Sequence, residues 1–251
     1  MLNRRIIARI DVKNENVIKG IHLEGLRVVG DPNQMALKYY SQGIDEIIFM
    51  DAVASYYDRN SLSAILRAAC NNIFVPITLG GGIRTVQDIR AALNSGADKV
   101  AINTQAIKDP DFINRASKIF GSQCLVGSIE AKLIGSNSWE AYYDNGREPS
   151  GRDVIAWGVE LEKRGIGEVM ITSIDVEGTK KGFDTDLLSI MSESLSVPVI
   201  ASGGCGMCGH LVELMKCTDV SAAAVASVLH YELASVSELK QALKKNNIRV
   251  R

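Results

Sequence analysis

The feature that most constrains the fold is a regular alternation of eight short apolar runs with longer helical patterns. The runs are rich in β-branched residues and lack polar alternation, which is typical of strands covered on both faces. We predict strands over residues 5–10, 46–50, 75–79, 99–102, 124–129, 168–172, 197–201 and 222–226. Eight strand–helix units without a linker favour a single (β/α)8 barrel over an open doubly wound sheet.

The segments between these runs carry the apolar spacing of amphipathic helices. Helices are predicted over residues 33–42, 61–72, 86–95, 109–119, 151–164, 184–194 and 208–217, with a last helix over 235–245. The only long interruption that we identify is residues 131–148, rich in Gly, Ser, Asn and Asp. We expect it to be an excursion of a strand-to-helix loop on the catalytic face of the barrel.

The composition excludes several classes of protein. With 28 Lys and Arg against 29 Asp and Glu, the chain lacks the positive charge of a dedicated nucleic-acid binder. Its 46% hydrophobic content is too high for a disordered chain. No apolar stretch approaches the roughly 18 residues of a membrane span, and no signal peptide is visible. The odd count of five cysteines suits a reducing cytosol, so we expect a cytoplasmic protein.

The two halves of the chain share short motifs at a nearly constant offset. The segment Val75-Pro76-Ile77-Thr78-Leu79-Gly80-Gly81-Gly82 resembles Val197-Pro198-Val199-Ile200-Ala201-Ser202-Gly203-Gly204, and these segments begin 122 positions apart. Asp11 and Glu130, which follow the first and fifth predicted strands, are 119 positions apart. We therefore predict two half-barrels of four units each, over about residues 1–122 and 123–251.

Glycine clusters follow the third and seventh predicted strands, at equivalent places in the two halves. Glycine lets backbone N–H groups approach an anion closely, and this is the usual phosphate position of such barrels. The alternative is that the glycines merely form tight turns. We predict two phosphate sites and a substrate with a phosphate at each end. The predicted phosphate-binding residues are Gly81, Gly82, Asn103 and Thr104 in one half and Gly203, Gly204, Ala226 and Ser227 in the other.

Asp11 and Glu130 are predicted to face each other across the mouth of the barrel. Carboxylates on either side of a substrate suit general acid–base catalysis, in which one takes a proton and the other donates it. The alternative is that each acid caps a helix or pairs with a nearby lysine, such as Lys13, Lys19 or Lys132. We expect the opposed pair to be catalytic because it lies beside two predicted phosphate sites.

Four charged residues begin predicted strands at the opposite end of the barrel, where apolar or small residues are usual. If they point inward they could form a closed ring of ion pairs, because buried charges need partners. The alternative is a set of ordinary surface ion pairs. The four residues are Arg5, Glu46, Lys99 and Glu168.

No metal or redox site is expected. Cys205 and Cys208 have CxxC spacing, but no second pair accompanies them. The three histidines are scattered and lack ligand spacing.

With these features in place, the chain resembles, from end to end, the family of cyclase subunits of imidazole glycerol phosphate synthase (HisF). The matching motifs include Arg4-Arg5-Ile6-Ile7-Ala8-Arg9-Ile10-Asp11-Val12-Lys13, Val17-Ile18-Lys19-Gly20, Gly30-Asp31-Pro32, Gly80-Gly81-Gly82-Ile83-Arg84, Gly96-Ala97-Asp98-Lys99-Val100, Asn103-Thr104, Thr172-Ser173-Ile174-Asp175, Gly178-Thr179 and Ala201-Ser202-Gly203-Gly204.

The resemblance implies a reaction and a partner. A HisH-type glutaminase would release ammonia, which passes through the barrel to N′-phosphoribulosyl-formimino-AICAR phosphate and yields imidazole glycerol phosphate and AICAR. No cofactor is implied. The family's catalytic aspartate after strand one corresponds to Asp11, and its ring that gates ammonia corresponds to Arg5, Glu46, Lys99 and Glu168. Asp98 lies in the stretch that faces HisH. The implied substrate-binding residues also include Lys19, Asp51, Thr172, Glu177 and Gly178.

Three departures from the family leave alternatives open. Glu130 stands where the family has its second catalytic aspartate, and Glu177 replaces an aspartate after strand six. Ala8-Arg9-Ile10 stands where many cyclases have a stretch like Pro-Cys-Leu. A displacement near 1 Å can lower a rate about 100-fold. The alternative is therefore a HisF-like subunit that conducts ammonia to a sugar amidotransferase of surface-polysaccharide synthesis. The sugar isomerase of the histidine pathway matches the motifs less well.

Overall fold

The eight predicted strands form a closed parallel barrel in the computed structural model, which describes residues 3–52 and 62–251. The described strands are β1 (Arg5–Lys13), β2 (Asn16–Ile21), β3 (Glu24–Gly30), β4 (Glu46–Asp51), β5 (Ile77–Gly80), β6 (Lys99–Ile102), β7 (Leu125–Gly135), β8 (Ser138–Tyr143), β9 (Glu148–Asp153), β10 (Glu168–Ser173), β11 (Val199–Ser202) and β12 (Ala222–Val225).

Parallel pairing runs around the barrel in the order β1, β4, β5, β6, β7, β10, β11 and β12. The pairing of β12 with β1, in which Arg5 lies opposite Ala222, closes the circle. The prediction of a single (β/α)8 barrel is therefore confirmed. Because the carboxyl ends of all eight strands meet at one rim, the loops that follow them form the mouth.

The helices pack outside this barrel and follow the predicted pattern, with differences at some ends. Among the described residues they are α1 (Pro32–Ser41), α2 (Leu62–Cys70), α3 (Val86–Asn94), α4 (Thr104–Lys108), α5 (Asp111–Phe120), α6 (Val154–Arg164), α7 (Thr185–Ser194), α8 (Cys208–Cys217), α9 (Ser227–His230) and α10 (Val236–Lys245). No helix in this described part is long and apolar enough to cross a bilayer.

Three helix predictions need correction or a limit. The helix predicted over residues 151–164 begins at Val154, because residues 148–153 form β9 and the Asp153 side chain caps the helix by accepting from Ala156 N. The helix predicted over 109–119 is α5, which begins at Asp111. The short helix α4 precedes it and was not predicted. Ser61, the first residue of another predicted helix, lies outside the described residues.

Two antiparallel hairpins extend from the barrel, so the prediction of only one long interruption is wrong. The interruption predicted over residues 131–148 contains the end of β7, then β8 and the start of β9, which form an antiparallel hairpin that extends from the strand end. A second hairpin, β2 and β3, continues from β1 in the matching place in the first half. No element is predicted from the sequence between residues 10 and 33, although Asn14 in the first turn of this hairpin has a positive φ of 57°.

The barrel strands sort their side chains into two groups. Along β1, Ile6, Ala8 and Ile10 pack outward with the helices, whereas Ile7 belongs to the interior cluster. Strand alternation therefore directs Arg5, Ile7, Arg9 and Asp11 into the lumen, from the floor to the mouth. The apolar residues of the lumen are Ile7, Ile48, Met50, Ala101, Val126, Met170, Ile200, Ala222 and Ala224.

Candidate active site

Asp11 and Glu130 lie in β1 and β7 where the hairpins leave the barrel. The sequence placed them after their strands, but both strands run on into the hairpins and carry the two acids within them. Asp11 is 7% exposed and Glu130 is 6% exposed. The two carboxyl groups are therefore buried acids of the mouth rather than caps of surface helices.

Asp11 is held beside a buried guanidinium. Arg9 Nε donates to Asp11 Oδ1 at 2.9 Å, and Lys19 Nζ lies 3.9 Å from Asp11 Oδ2. Burial alone would raise the pKa of Asp11, but the charges of Arg9 and Lys19 outweigh it and hold that pKa below its ordinary value. Asp11 is consequently an ionised carboxylate at neutral pH.

Glu130 has different surroundings. Its Oε2 accepts from Asn103 Nδ2 at 2.9 Å and from Gly146 N at 2.7 Å. Burial raises the pKa of Glu130 to about 7, although the Arg9 charge and the Gly146 hydrogen bond act in the opposite direction. The ionised Asp11 adds to the increase. Near neutral pH Glu130 therefore exists in both protonation states, which suits a group that donates a proton.

Lys19 reaches the mouth from the first hairpin and forms an ion pair with Glu177. Burial lowers the pKa of Lys19 to about 8, and Arg9 adds to this while Asp11 opposes it. The hairpin also rests on the β10–α7 loop, where His22 N donates to Glu177 O at 2.8 Å. Lys132, considered above as a partner of the catalytic acids, instead pairs with Asp175 at 2.6 Å.

The first glycine cluster borders a depression of about 750 Å³, including space open to solvent. Gly81 has a φ of +87°, and a Cβ built there would lie 2.3 Å from Asp51 O. Only glycine therefore fits this close approach. The structure brings together here the predicted residues Asp51, Gly81, Gly82, Asn103, Thr104 and Glu130.

The second glycine cluster borders a smaller depression of about 250 Å³. Gly204 has a φ of +93°, and a Cβ there would lie 1.8 Å from Gly182 O. The buried cations Arg9 and Lys19 border this depression, so it offers an anion positive charge in addition to backbone N–H groups. It is lined by the predicted residues Lys19, Glu177, Gly178, Gly203, Gly204, Ala226 and Ser227, and by Arg9 and Ser202.

At the opposite end of the barrel, four charged side chains form a ring of alternating sign. Arg5 contacts Glu46 at 2.7 Å and is also paired with Glu168. Lys99 contacts Glu46 at 3.3 Å and Glu168 at 2.8 Å. Each carboxylate therefore lies between two cations, and the ring closes the floor of the lumen. Asp98, beside it, is exposed and accepts from Ile77 N at 2.8 Å.

Three contributors to the mouth, Arg9, Ser202 and Gly146, are not among the predicted site residues. No role is predicted for Arg9 from the sequence, although the alternation from Arg5 through Ile7 to Asp11 places it in the lumen. Gly146 reaches Glu130 from the β8–β9 turn, and no sequence pattern predicted that contact. Thr172, which was predicted, accepts from Arg9.

The remaining sequence candidates take no part in the mouth's ion pairs. Each of the five cysteines, all within the described residues, is a free thiol. Burial raises the pKa of Cys205 to about 12, so this thiol is not a thiolate at neutral pH.

Comparison with known proteins places the chain among enzymes of one pathway. The profile of the family described as "Histidine biosynthesis protein" matches residues 5–235. A protein of Legionella pneumophila is 57% identical over 206 residues, which is 82% of this chain and 97% of the relative. A protein of Hydrogenobaculum is 44% identical over the full length of both chains, and one of Bacillus cereus is 41% identical over the same extent. Each of these relatives is named imidazole glycerol phosphate synthase subunit HisF.

Proposed function

Because the chain belongs to the histidine biosynthesis protein family and its curated relatives are HisF subunits, we propose that it is the cyclase subunit of imidazole glycerol phosphate synthase. It would use ammonia from a HisH-type glutaminase to convert N′-phosphoribulosyl-formimino-AICAR phosphate to imidazole glycerol phosphate and AICAR. The names of the relatives favour this function over the subunit of a sugar amidotransferase.

The observation that carries the proposal is the pair of acids between two glycine-lined depressions. A substrate with a phosphate at each end would place its phosphates at Gly81-Gly82 and at Gly203-Gly204, where backbone N–H groups can approach the oxygens. The central part of the substrate would then lie over Asp11 and Glu130. This arrangement holds the reacting atoms near two groups that can transfer protons.

The charges of the mouth divide the proton transfers between the two acids. Asp11, kept ionised by Arg9 and Lys19, would accept a proton as the general base. Glu130, whose pKa is raised by burial to about 7, would donate one as the general acid. Turnover should therefore decline as the pH rises through about 7, because Glu130 loses the proton that it must supply.

The longer side chain of Glu130 is held in place by hydrogen bonds to its carboxyl group. Its carboxyl group is fixed between Asn103 of the first half and Gly146 of the second hairpin, on one oxygen. Glu177, the other longer acid, is fixed by its ion pair with Lys19. The two departures from aspartate therefore fit into ordered contacts, and both support a site that keeps its function with shifted carboxylates.

The direct test supplies purified protein with the bisphosphorylated substrate and an ammonium salt, and measures release of AICAR. We expect turnover without any partner, because ammonia from solution can enter at the mouth. Folded protein that releases no AICAR would refute the cyclase function, and recovery by Glu130→Asp would then indicate a repurposed site.

A second test concerns the partner and the floor. Lys99→Ala should change glutamine-driven turnover more than ammonium-driven turnover, because only ammonia from a glutaminase docked at the floor would pass the ring. Lys240→Ala is the matched control, since Lys240 also holds a buried acid, Asp45, at 2.6 Å, but outside the ring. Equal effects of Lys99→Ala on both rates would remove the gate from the proposal.

A further inference from the structure

The lumen of the barrel is an apolar compartment between two charged ends. Its floor is the ring of Arg5, Glu46, Lys99 and Glu168, and its wall is the interior cluster that includes Ile7, Val126 and Ile200. Asp11 and Glu130 lie at the upper end. A molecule moving between the floor and these acids would have to cross this compartment along the barrel axis.

Arg9 lies across the upper end of the compartment. It rises from β1, yet its Nη1 donates to Thr172 Oγ1 of β10 at 2.8 Å and to Ser202 Oγ of β11 at 3.1 Å. Strands β12 and β11 separate β1 from β10 around the wall, so the side chain follows a chord of the barrel. Thr172 is also the register partner of Glu130. The guanidinium therefore extends from Asp11 to the strand position beside Glu130.

The side chain is fixed in this place. Arg9 is 2% exposed, and its Nε donates to Asp11 at 2.9 Å. A buried guanidinium with a carboxylate and two hydroxyl partners is costly to move, because each lost partner leaves an unpaired polar group. In the second half, Ser128 occupies the matching place two residues before Glu130, and it is too short to cross the lumen.

We propose that Arg9 is a bar that closes the apolar lumen at its upper end, so that a small molecule passing between the floor and the two acids must displace its guanidinium. The positive charge would also repel cations such as ammonium, while a small neutral molecule meets only the steric obstacle. That the passing molecule is ammonia rests on the proposed function. The bar itself depends only on the arrangement of Arg9 in the lumen.

The test measures access to the lumen without turnover. Ala222 is fully buried, belongs to the lumen and lies opposite Arg5 near the floor. In an Ala222→Cys protein, reaction of the new thiol with methyl methanethiosulfonate is followed by mass spectrometry of its peptide, which separates it from the native cysteines. Adding Arg9→Ala should accelerate the reaction about tenfold or more, since the open state no longer requires breaking the Arg9 contacts.

Ser128→Ala, added to the same Ala222→Cys protein, is the matched control and should leave the reaction rate unchanged. Urea unfolding of each variant gives the change in its unfolded fraction. Equal rates with Arg9→Ala and Ser128→Ala would overturn the bar, and so would an acceleration by Arg9→Ala that is no larger than the rise in its unfolded fraction. If Arg9→Ala does not fold, Arg9→Gln serves instead, because its amide keeps a polar group but is too short to reach β10. The labelling needs no substrate, so an absence of cyclase activity would refute the proposed function without affecting this result.

Discussion

Asp11 and Glu130 occupy matching positions in the two halves of the barrel, but their surroundings differ in charge. Two residues earlier in its strand, Asp11 has Arg9, whereas Glu130 has Ser128. Arg9 and Lys19 stabilise the ionised form of Asp11, whereas at Glu130 burial outweighs the Arg9 charge and favours the neutral form. The pKa values of two acids at matching positions therefore shift in opposite directions, because Asp11 accepts a hydrogen bond from Arg9 and also lies near Lys19.

The floor shows the same departure from symmetry. Glu46 and Glu168 lie at equivalent places in the two halves, and each contacts both cations of the ring. The cations have no such counterparts: Lys99 begins β6, whereas β12 begins with Ala222. At both ends of the lumen, the acids therefore follow the repeat and the cations break it.

The largest expected effect tests the first half. Asp11→Asn keeps the shape of the side chain but removes the negative charge that would accept a proton. We expect ammonium-driven turnover to fall about 10²- to 10⁴-fold, as for the loss of a general base. Asp31→Asn, at the exposed cap of α1, is the control and should leave turnover unchanged. A loss below tenfold for Asp11→Asn would assign the base elsewhere.

The next effect tests the cation that distinguishes the halves. Arg9→Ser makes the first half resemble the second and leaves Asp11 without its guanidinium partner. We expect the free energy of unfolding at pH 7 to fall by about 3–5 kcal/mol, as when one member of a buried ion pair is removed. In the native protein, the lowered pKa of Asp11 adds to the free energy of unfolding at every pH above the ordinary pKa of an aspartate. This contribution is lost as the pH falls through the lowered pKa.

Urea unfolding of the Arg9→Ser variant at several pH values checks this interpretation. The destabilisation should shrink as the pH falls, because a protonated Asp11 no longer needs a cation. Ser128→Ala should change the unfolding free energy much less at any pH. An Arg9→Ser penalty that is constant with pH would mean that lost packing, rather than the Asp11 charge, causes it.

These contrasts also show what the sequence could and could not predict. Apolar runs and helical spacing predicted the barrel, because strands buried on both faces and amphipathic helices leave strong local patterns. Asp11, Glu130 and the glycine clusters were placed at the mouth because strand ends meet there. The Arg9 bond to Thr172 and the Gly146 bond to Glu130 join residues far apart in the chain, so no local pattern contains them. The hairpin after β1 is absent from the prediction, although Asn14 and Asn16 at its first turn are residues that favour turns.

A smaller effect concerns the contribution that Glu130, in the second half, makes to the free energy of unfolding of the protein. The pKa of Glu130 is raised to about 7 in the folded protein, so the unfolded chain ionises at lower pH than the native protein does. The contribution of Glu130 to the free energy of unfolding is therefore complete below the pKa that Glu130 has in the unfolded chain. This contribution is lost as the pH rises through about 7. Glu130→Gln cannot ionise, and we expect it to be more stable than the native protein by on the order of 3 kcal/mol at pH 8.

The comparison with acidic solution separates this effect from packing. Near pH 4 both versions carry a neutral side chain at this position, so the advantage of Glu130→Gln should disappear. Thermal or urea unfolding at the two pH values measures the difference. An advantage that persists at low pH would contradict the assignment of the raised pKa to Glu130.

The smallest effect probes a contact that joins the two halves. Tyr39 of α1 is buried, and its hydroxyl lies 2.7 Å from Nδ1 of His230 at the end of α9, with the rings stacked. Burial lowers the pKa of His230 to about 4, with Lys19 adding to the shift. His230 is therefore neutral at pH 7. Tyr39→Phe removes one hydrogen bond between neutral groups and should lower the free energy of unfolding by about 1 kcal/mol at pH 7.

The pH dependence of this contact has the opposite sign to that of Glu130. The unfolded chain protonates His230 near its ordinary pKa, whereas the native protein resists protonation until about pH 4. Stability from this site is therefore full at neutral pH and falls as the pH drops toward 4. Both the native protein and Tyr39→Phe should show this loss below pH 6, because the histidine stays buried in each. If Tyr39→Phe instead removed the acid sensitivity, the hydroxyl rather than burial would be what keeps His230 neutral across the junction of the two halves.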